Sequence, residues 1–372
     1  MKKKTLGQFL STEINRRIKR DTEWYVLRGM LSYSWAMLFF LLGGREAGKS
    51  YAVTDFYVHQ WKTKGRPFYW LRLSQTSAAK LLMNNAEKLV DPDIRRRWNL
   101  DLVTVGDAVY EVTKRGKPKE DGRPGKIIEK KLMARVLDLS TFYNDKGSGL
   151  FDKDFLNDPD MYYNLALDEM NRETGSTGGG EKRNFDIAYA FANQVENLIR
   201  STKSRVRIIC IGNTLEEASD LLTAINFIPE TFGRYKIKSK RAVVEYIEPS
   251  KKYLERRKGT VADIISGNSS TFTNKIDVDR TLVTKQRLRK PSYIVAFTNT
   301  EKYTIWDGNV VAQYNNERCG NTIAMRPYLD FTFETKSRDT VMNLFDTRAY
   351  RFRNLVTQKL FKKNLELLKP RK

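Results

Sequence analysis

Histidine is almost missing from this chain and cysteine is scarce. His59 is the single histidine in 372 residues, and Cys210 and Cys319 are the two cysteines. Catalysis built on a histidine triad, or a metal centre built from His and Cys, is therefore disfavoured. Neither cysteine has metal-ligand spacing. Cys210, inside Val206-Arg-Ile-Ile-Cys-Ile-Gly212, reads as a small buried apolar residue, and the cysteine usage fits a reducing compartment. Long apolar runs are also absent. The longest, Trp35 to Leu42, is far too short to cross a bilayer. The opening Met1-Lys-Lys-Lys leads into a polar, basic stretch, so no signal peptide is expected. Acidic residues are in deficit: 44 Asp+Glu against 67 Lys+Arg give a formal charge of +23. Work on a nucleotide alone does not require that excess, which suits a polyanion such as DNA, RNA or an anionic membrane. The membrane is the weakest of the three, because apolar residues are sparse in the basic opening Thr5 to Arg28. That opening reads as a solvated or nucleic-acid-facing helix.

What the chain does have is Gly43-Gly-Arg-Glu-Ala-Gly-Lys-Ser50, a complete G-x-x-x-x-G-K-[ST] loop following an apolar strand candidate and opening a helix. Gly43, Gly44 and Gly48 let the backbone curl so that its N–H groups face phosphate oxygens. Lys49 adds a point charge, and the Ser50 hydroxyl is of the type that ligates Mg²⁺. Arg45, within the loop, is a further candidate γ-phosphate contact. A bound ATP or GTP is expected.

Apolar, β-rich runs then alternate with helical segments up to about residue 240, the pattern of an α/β protein with a mostly parallel sheet. Strands are predicted at Trp35–Leu42, Phe68–Leu73, Ala108–Thr113, Ile127–Leu137, Tyr163–Leu167 and Val206–Ile211. Helices are predicted at Ser50–Thr63, Ser77–Leu89, Ile187–Thr202 and Leu215–Ile225. The later part reads as a smaller α+β domain. It has strands at Ser292–Thr298, Tyr303–Trp306 and Val310–Gln313, an Asp307-Gly308 hairpin turn, and a closing basic helix from about Thr347 to Leu368. This divides the chain into 1–214, a nucleotide domain with a basic N-terminal helix, 215–255, a linker or lid, and 256–372, a C-terminal nucleic-acid or partner-binding domain. Lys114 to Lys126 is a turn-rich basic hairpin tip. Its Lys114, Arg115, Lys117, Lys119, Arg123 and Lys126 are either solvated or in contact with nucleic acid.

Leu165-Ala-Leu-Asp168-Glu169 supplies the second half of a hydrolytic site. Asp168, at the end of an apolar strand, would hold the Mg²⁺ shell beside Ser50, and Glu169 would polarise a water. Asn213, closing the strand from Val206, is either a γ-phosphate sensor or a turn former. Arg200, with Lys203 and Arg205 behind it, is either an arginine finger for a neighbouring subunit or a solvated cation. Arg72, at the end of the strand from Phe68, either lies near the nucleotide or is a surface cation.

With these residues in view, the chain resembles the DNA-packaging ATPases of small protein-primed podophages, the Picovirinae type. The likeness rests on Leu42 to Ala52, Phe68 to Arg72, Leu139-Ser-Thr-Phe142, Leu167-Asp-Glu169 and Arg205 to Asn213. It implies a P-loop ATPase of the additional-strand, catalytic-glutamate class, using ATP and Mg²⁺. The C-terminal domain would be a degenerate RNase H-like nuclease fold that binds nucleic acid or the portal without cutting. The implied machine is a homo-oligomeric ring, a pentamer in that family, in the host bacterial cytoplasm and transiently at the procapsid portal. It moves double-stranded DNA inward and, in some relatives, carries a structural RNA. Carried over by residue, Gly43, Gly48, Lys49 and Ser50 hold phosphates and Mg²⁺, Asp168 the metal and Glu169 the water. Arg200 matches the trans finger, and Lys146 matches a channel-facing DNA contact. The alternatives are another ring translocase or helicase, or a nucleic-acid-binding protein whose nucleotide site does not hydrolyse.

Overall fold

The computed structural model describes residues 22–27, 29–118, 120, 123–139, 163–170, 187–199, 206–213, 219–266, 280–331 and 333–368. The chain divides into two units, 1–221 with 229–276, and 222–228 with 277–372.

The first unit is built on a nine-stranded sheet. Its strands are β1 (Leu38–Leu42), β2 (Phe68–Arg72), β3 (Leu102–Val105), β4 (Ala108–Arg115), β5 (Ile127–Asp138), β6 (Tyr163–Asp168), β7 (Val206–Gly212), β8 (Gly233–Ile237) and β9 (Ala242–Tyr246). The order across the sheet is β3-β4-β5-β2-β6-β7-β1-β9-β8. From β5 through β9 the neighbours run parallel; the β3–β4–β5 meander and β8 are antiparallel additions at the two edges. β1, β2, β6 and β7 are nearly continuous apolar runs because a parallel strand covered on both faces has no solvent side to alternate toward.

The strands expected from the sequence form with ends shifted by no more than three residues, and Val310–Gln313 forms as expected. The sheet also continues beyond them. The stretch 215–255, expected as a linker or lid, instead contributes β8 and β9. Gly-Arg-Tyr-Lys-Ile carries too many charges to read as a core strand, and Ala-Val-Val-Glu-Tyr places Glu245 within an otherwise apolar run. The cations of β8 lie at the sheet edge, and Glu245 is buried against Arg234, 2.7 Å away. β3 was missed because it is four residues long and only partly buried.

Helix α1 (Lys49–Lys64) follows β1 through the glycine loop and buries Val53, Thr54, Tyr57, Val58 and Gln60. The Tyr57 hydroxyl donates to the Leu165 carbonyl on β6 at 2.9 Å, tying α1 to the strand that ends in Asp168. Tyr57, Phe68, Trp70, Ala166 and Ile209 meet in one apolar core. Helices α2 (Gln75–Ala86), α3 (Pro92–Trp98), α4 (Ile187–Ile199), α5 (Asp220–Ala224), α6 (Lys251–Arg257) and α7 (Val261–Ser266) follow in chain order. Among the described residues no helix is long and apolar enough to cross a membrane.

The second unit holds β10 (Pro291–Ala296), β11 (Lys302–Trp306), β12 (Val310–Gln313), β13 (Thr322–Ala324) and β14 (Arg351–Phe352), in the order β13-β10-β11-β12-β14. Helices α8 (Thr335–Asp346) and α9 (Leu355–Glu366) complete it. Phe361 of α9 is fully buried, with the rings of Phe297, Tyr303, Tyr350 and Phe352 between 5.2 and 5.8 Å away. The closing helix is shorter than expected. Arg348 turns through a left-handed conformation, Arg351 and Phe352 pair with β12, and Asn354 restarts the helix by accepting from the Thr357 N–H at 2.8 Å.

Tyr57→Phe removes a buried hydrogen bond while keeping the ring. It is expected to lower stability by about 1 kcal/mol in chemical denaturation, whereas an unchanged midpoint would mean that this bond does not fasten α1 to β6.

Candidate nucleotide site

The register of the sheet brings the chemically active residues to one edge. Leu42 lies opposite Gly212, Leu71 opposite Leu167, and Asp168 opposite Ile211. The residues at or just beyond those strand ends therefore gather there: Gly43, Arg72, Asp168, Glu169 and Asn213. Carboxyl ends of strands in an open α/β sheet are where such folds bind ligands.

The loop between β1 and α1 is shaped by close approach and by handedness. A Cβ on Gly43 would stand 3.1 Å from that of Ile247, and Gly48 has φ +82° with Trp24 packed against it. Helix α1 begins at Lys49 with no side-chain cap and no acidic residue in its first turn, so its N-terminal N–H groups face an anion without competition. The Lys49 ammonium donates to the carbonyls of Gly43 and Gly44, at 2.9 and 2.6 Å. These are bonds that phosphate oxygens would replace. Burial brings the Lys49 ammonium down to about 8; nearby Asp168 opposes the shift and Arg45 adds to it.

Asp168 and Glu169 occupy different environments. The Asp168 side chain is 6% exposed and that of Glu169 is 54% exposed. Ser50 donates to the Asp168 carboxylate, 3.2 and 3.3 Å from its two oxygens. Arg72 spans both acids, 2.9 Å from Asp168 Oδ2 and 2.5 Å from Glu169 Oε1. Burial pushes the Asp168 carboxyl up despite Arg72 beside it. Such a carboxylate gains from a second, divalent cation. One carboxylate and one hydroxyl suit Mg²⁺, which keeps waters and takes its other oxygens from phosphates. Glu169 itself sits at φ +58°, a left-handed conformation costly for a residue with a Cβ. Arg72, read from the sequence as either near the nucleotide or a surface cation, is mostly buried at the end of β2. Its direct partners are the two acids.

A collar around the loop went unread in the sequence. Ser250 caps α6, whose Tyr253 hydroxyl donates to the Arg45 carbonyl at 2.9 Å. Arg257 donates to the same carbonyl at 3.3 Å, and Arg256 donates to the Glu46 carbonyl at 2.7 Å. Arg256 also lies 3.8 Å over the Trp24 ring and 3.0 Å from Glu23, while the Tyr25 N–H donates to the Ala47 carbonyl at 2.9 Å. Thr22, Trp24, Tyr25, Ala47, Ile247 and Tyr253 line a slot beside the loop. The spacing Ser250-x-x-Tyr253-x-x-Arg256-Arg257 was the available signal, but nothing in it points to a loop two hundred residues earlier.

Other expected residues are distributed more widely. Asn213 directly follows β7 at the site edge. His59 meets Trp98 edge-on at 5.5 Å, a packing role, and Cys210 is buried with its thiol pushed up by burial. Lys114, Lys117, Arg123 and Lys126 are exposed along the β4–β5 hairpin. Arg115 is held by Asp101 at 2.8 Å and by the Gly125 carbonyl at 3.2 Å, which makes it a brace of that hairpin. Lys119, Lys146, Arg200, Lys203 and Arg205 lie outside the described residues, as do Ser140 to Phe142 and the basic opening up to residue 21.

Phosphate binding should carry the signature of Lys49. Below about pH 8 the ammonium is charged; above it, the nucleotide-free site releases the proton, and affinity for a triphosphate falls by up to tenfold per pH unit. Folding responds in the opposite sense. Between about pH 8 and the ordinary 10.5 the folded chain has lost a proton that the unfolded chain keeps, so nucleotide-free stability rises through that window. Calorimetric titration and denaturation across pH 7–10.5 test both, with Lys49→Met expected to flatten each profile.

No protein-family model matches the sequence, and no curated protein matches it. Solved structures do. A chain of the bacteriophage phi29 viral genome packaging motor assembly superposes with a TM-score of 0.59 at 18% identity, covering 94% of this chain and 100% of that one. The phi28 gp11 DNA packaging motor gives 0.56 at 15% identity, over 94% and 99%. The N-terminal domain of the phi29 DNA packaging ATPase gives 0.43 at 22% identity, over 62% and 99%. Across nearly its whole length, the chain has the fold of the phage DNA-packaging motor proteins.

Proposed function

We propose that this chain is an ATP hydrolase that drives double-stranded DNA into a phage procapsid. It would be a P-loop ATPase of the additional-strand, catalytic-glutamate class, working as a homo-oligomeric ring at the portal. The observation that carries the reading is the arrangement of Lys49, Ser50, Arg72, Asp168 and Glu169 beyond the ends of β1, β2 and β6, with β7 inserted between β6 and β1. The +23 charge and the shared fold with packaging motors support the DNA substrate.

In this mechanism the loop N–H groups and Lys49 hold the β- and γ-phosphates, and Lys49 exchanges its bonds to Gly43 and Gly44 for phosphate oxygens. Ser50 and Asp168 hold Mg²⁺, which when bound neutralises charge on the phosphates. Glu169 is the group that orients and deprotonates the attacking water, and it is the more exposed of the two acids. While Arg72 holds its carboxylate, Glu169 is turned away from that task. Releasing it commits the site to hydrolysis. Asn213 lies at the strand end where a γ-phosphate sensor belongs. The second unit serves as a DNA or portal contact. Two of its carboxylates are occupied locally: Glu317 accepts from Thr304 and from the Asn315 N–H at 2.8 and 2.7 Å, and Asp307 accepts from Ser292 at 3.2 Å.

Steady-state ATP hydrolysis with and without duplex DNA tests the reading. DNA should raise turnover. Glu169→Gln should reduce it about 10²-fold or more while ATP still binds. Hydrolysis that ignores both DNA and Glu169→Gln would overturn the assignment.

A further inference from the structure

At the end of the nine-stranded sheet opposite the glycine loop, β8 turns into β9 through Lys238–Lys240, and the Arg241 carbonyl accepts from the N–H groups of Met37 and Leu38 at 2.8 and 3.1 Å. Four cations crowd this turn. Lys238, Lys240 and Arg241 are exposed and Lys236 is half-buried. The Lys236 ammonium stands 4.5 Å over the Tyr33 ring, whose centroid is 6.2 Å from that of Trp35. Arg241 Nε donates to the Trp35 carbonyl at 3.3 Å. Arg234, the fifth cation, also lies 5.9 Å over the Tyr33 ring, but its charge is paired with Glu245 at 2.7 Å and it donates to the Gly29 carbonyl at 2.7 Å. Among the described residues no carboxylate pairs with the other four.

Two features of this turn work against folding. Like charges at close range repel, and Arg241 adopts φ +48° at a position where glycine or asparagine is the usual solution. Bonds to the Arg241 carbonyl and from its side chain hold the turn in place, but among the described residues no carboxylate neutralises its four cations; an anionic ligand would. The patch has none of the exposed large apolar side chains that insertion into a lipid surface uses. Of its two rings Tyr33 is covered by Lys236 and so is not free to stack on an unpaired base. Recognition of a phosphate backbone by these exposed cations is what the patch fits.

We propose that Lys236, Lys238, Lys240 and Arg241, with Lys236 over the Tyr33 ring and Arg241 anchored on the Trp35 carbonyl, form a contact for the phosphate backbone of duplex DNA. The choice of DNA rests on the motor reading above. The contact is sequence-independent, and its strength falls steeply with salt.

Arg241→Gly separates binding from folding, because glycine relieves the left-handed backbone while removing the charge. Its melting temperature should match or exceed that of the parent. Binding of a labelled duplex, followed by anisotropy across 50–200 mM salt, should weaken several-fold, and the slope of log affinity against log salt should flatten by about 0.9. The Lys238→Gln, Lys240→Gln double variant, made away from the strained residue, should flatten it by about twice as much. Parental affinity and slope in both variants would overturn the contact and leave the motor reading intact. Failure of the parent chain to bind duplex DNA at any salt would overturn both. Tighter binding of an RNA hairpin than of duplex DNA, lost in the same variants, would overturn the choice of DNA.

Discussion

The bifurcated grip of Arg72 on Asp168 and Glu169 organises the site. One guanidinium, mostly buried, neutralises a carboxylate that burial alone would drive toward protonation, and with its other arm holds the neighbouring acid at 2.5 Å. Pairs of this kind contribute little net stability once desolvation is counted. What they supply is position. Here the position depends on sheet register: Arg72 ends β2, Asp168 ends β6, and β2 and β6 are direct parallel neighbours. A slip of one residue would send both side chains to the other face.

The same register fixes the rest. β7, between β6 and β1, aligns Asp168 with Ile211 and Leu42 with Gly212, so the loop, the acids and Asn213 share an edge. Helix α1 is held against β6 through Tyr57, which sets Ser50 against Asp168. The collar of Trp24, Tyr253, Arg256 and Arg257 then closes on the outer carbonyls of the loop. The backbone at Glu169 is left-handed and strained, while Lys49 rests on the loop's own carbonyls. Backbone strain of this kind recurs where a local change of partners is part of function.

Much of this was legible in the sequence where one short segment carries both pattern and chemistry. Gly43 to Ser50 specifies a turn, a helix start and a phosphate cradle within eight residues, and Leu165 to Glu169 gives a buried strand ending in acid. Arg72 was visible as a strand-end cation, but its partners depend on which strands become neighbours, information that a one-dimensional pattern does not hold. β8 was hidden because an edge strand tolerates charge, and β9 because Glu245 reads as solvent-facing until it is seen buried against Arg234. The collar residues lie at opposite ends of the first unit and meet only through the fold. β14 was absorbed into a predicted helix because two residues leave no periodicity to detect.

The most direct test of this account is a high-resolution structure of the chain with Mg²⁺ and a non-hydrolysable ATP analogue. The account predicts that Lys49 leaves the Gly43 and Gly44 carbonyls for phosphate oxygens, that Ser50 and Asp168 take the metal, and that Glu169 parts from Arg72 to face the γ-phosphate. A structure in which the analogue binds while Lys49 stays on its carbonyls, or in which Glu169 keeps its grip on Arg72 in every subunit of an assembled ring, would contradict it.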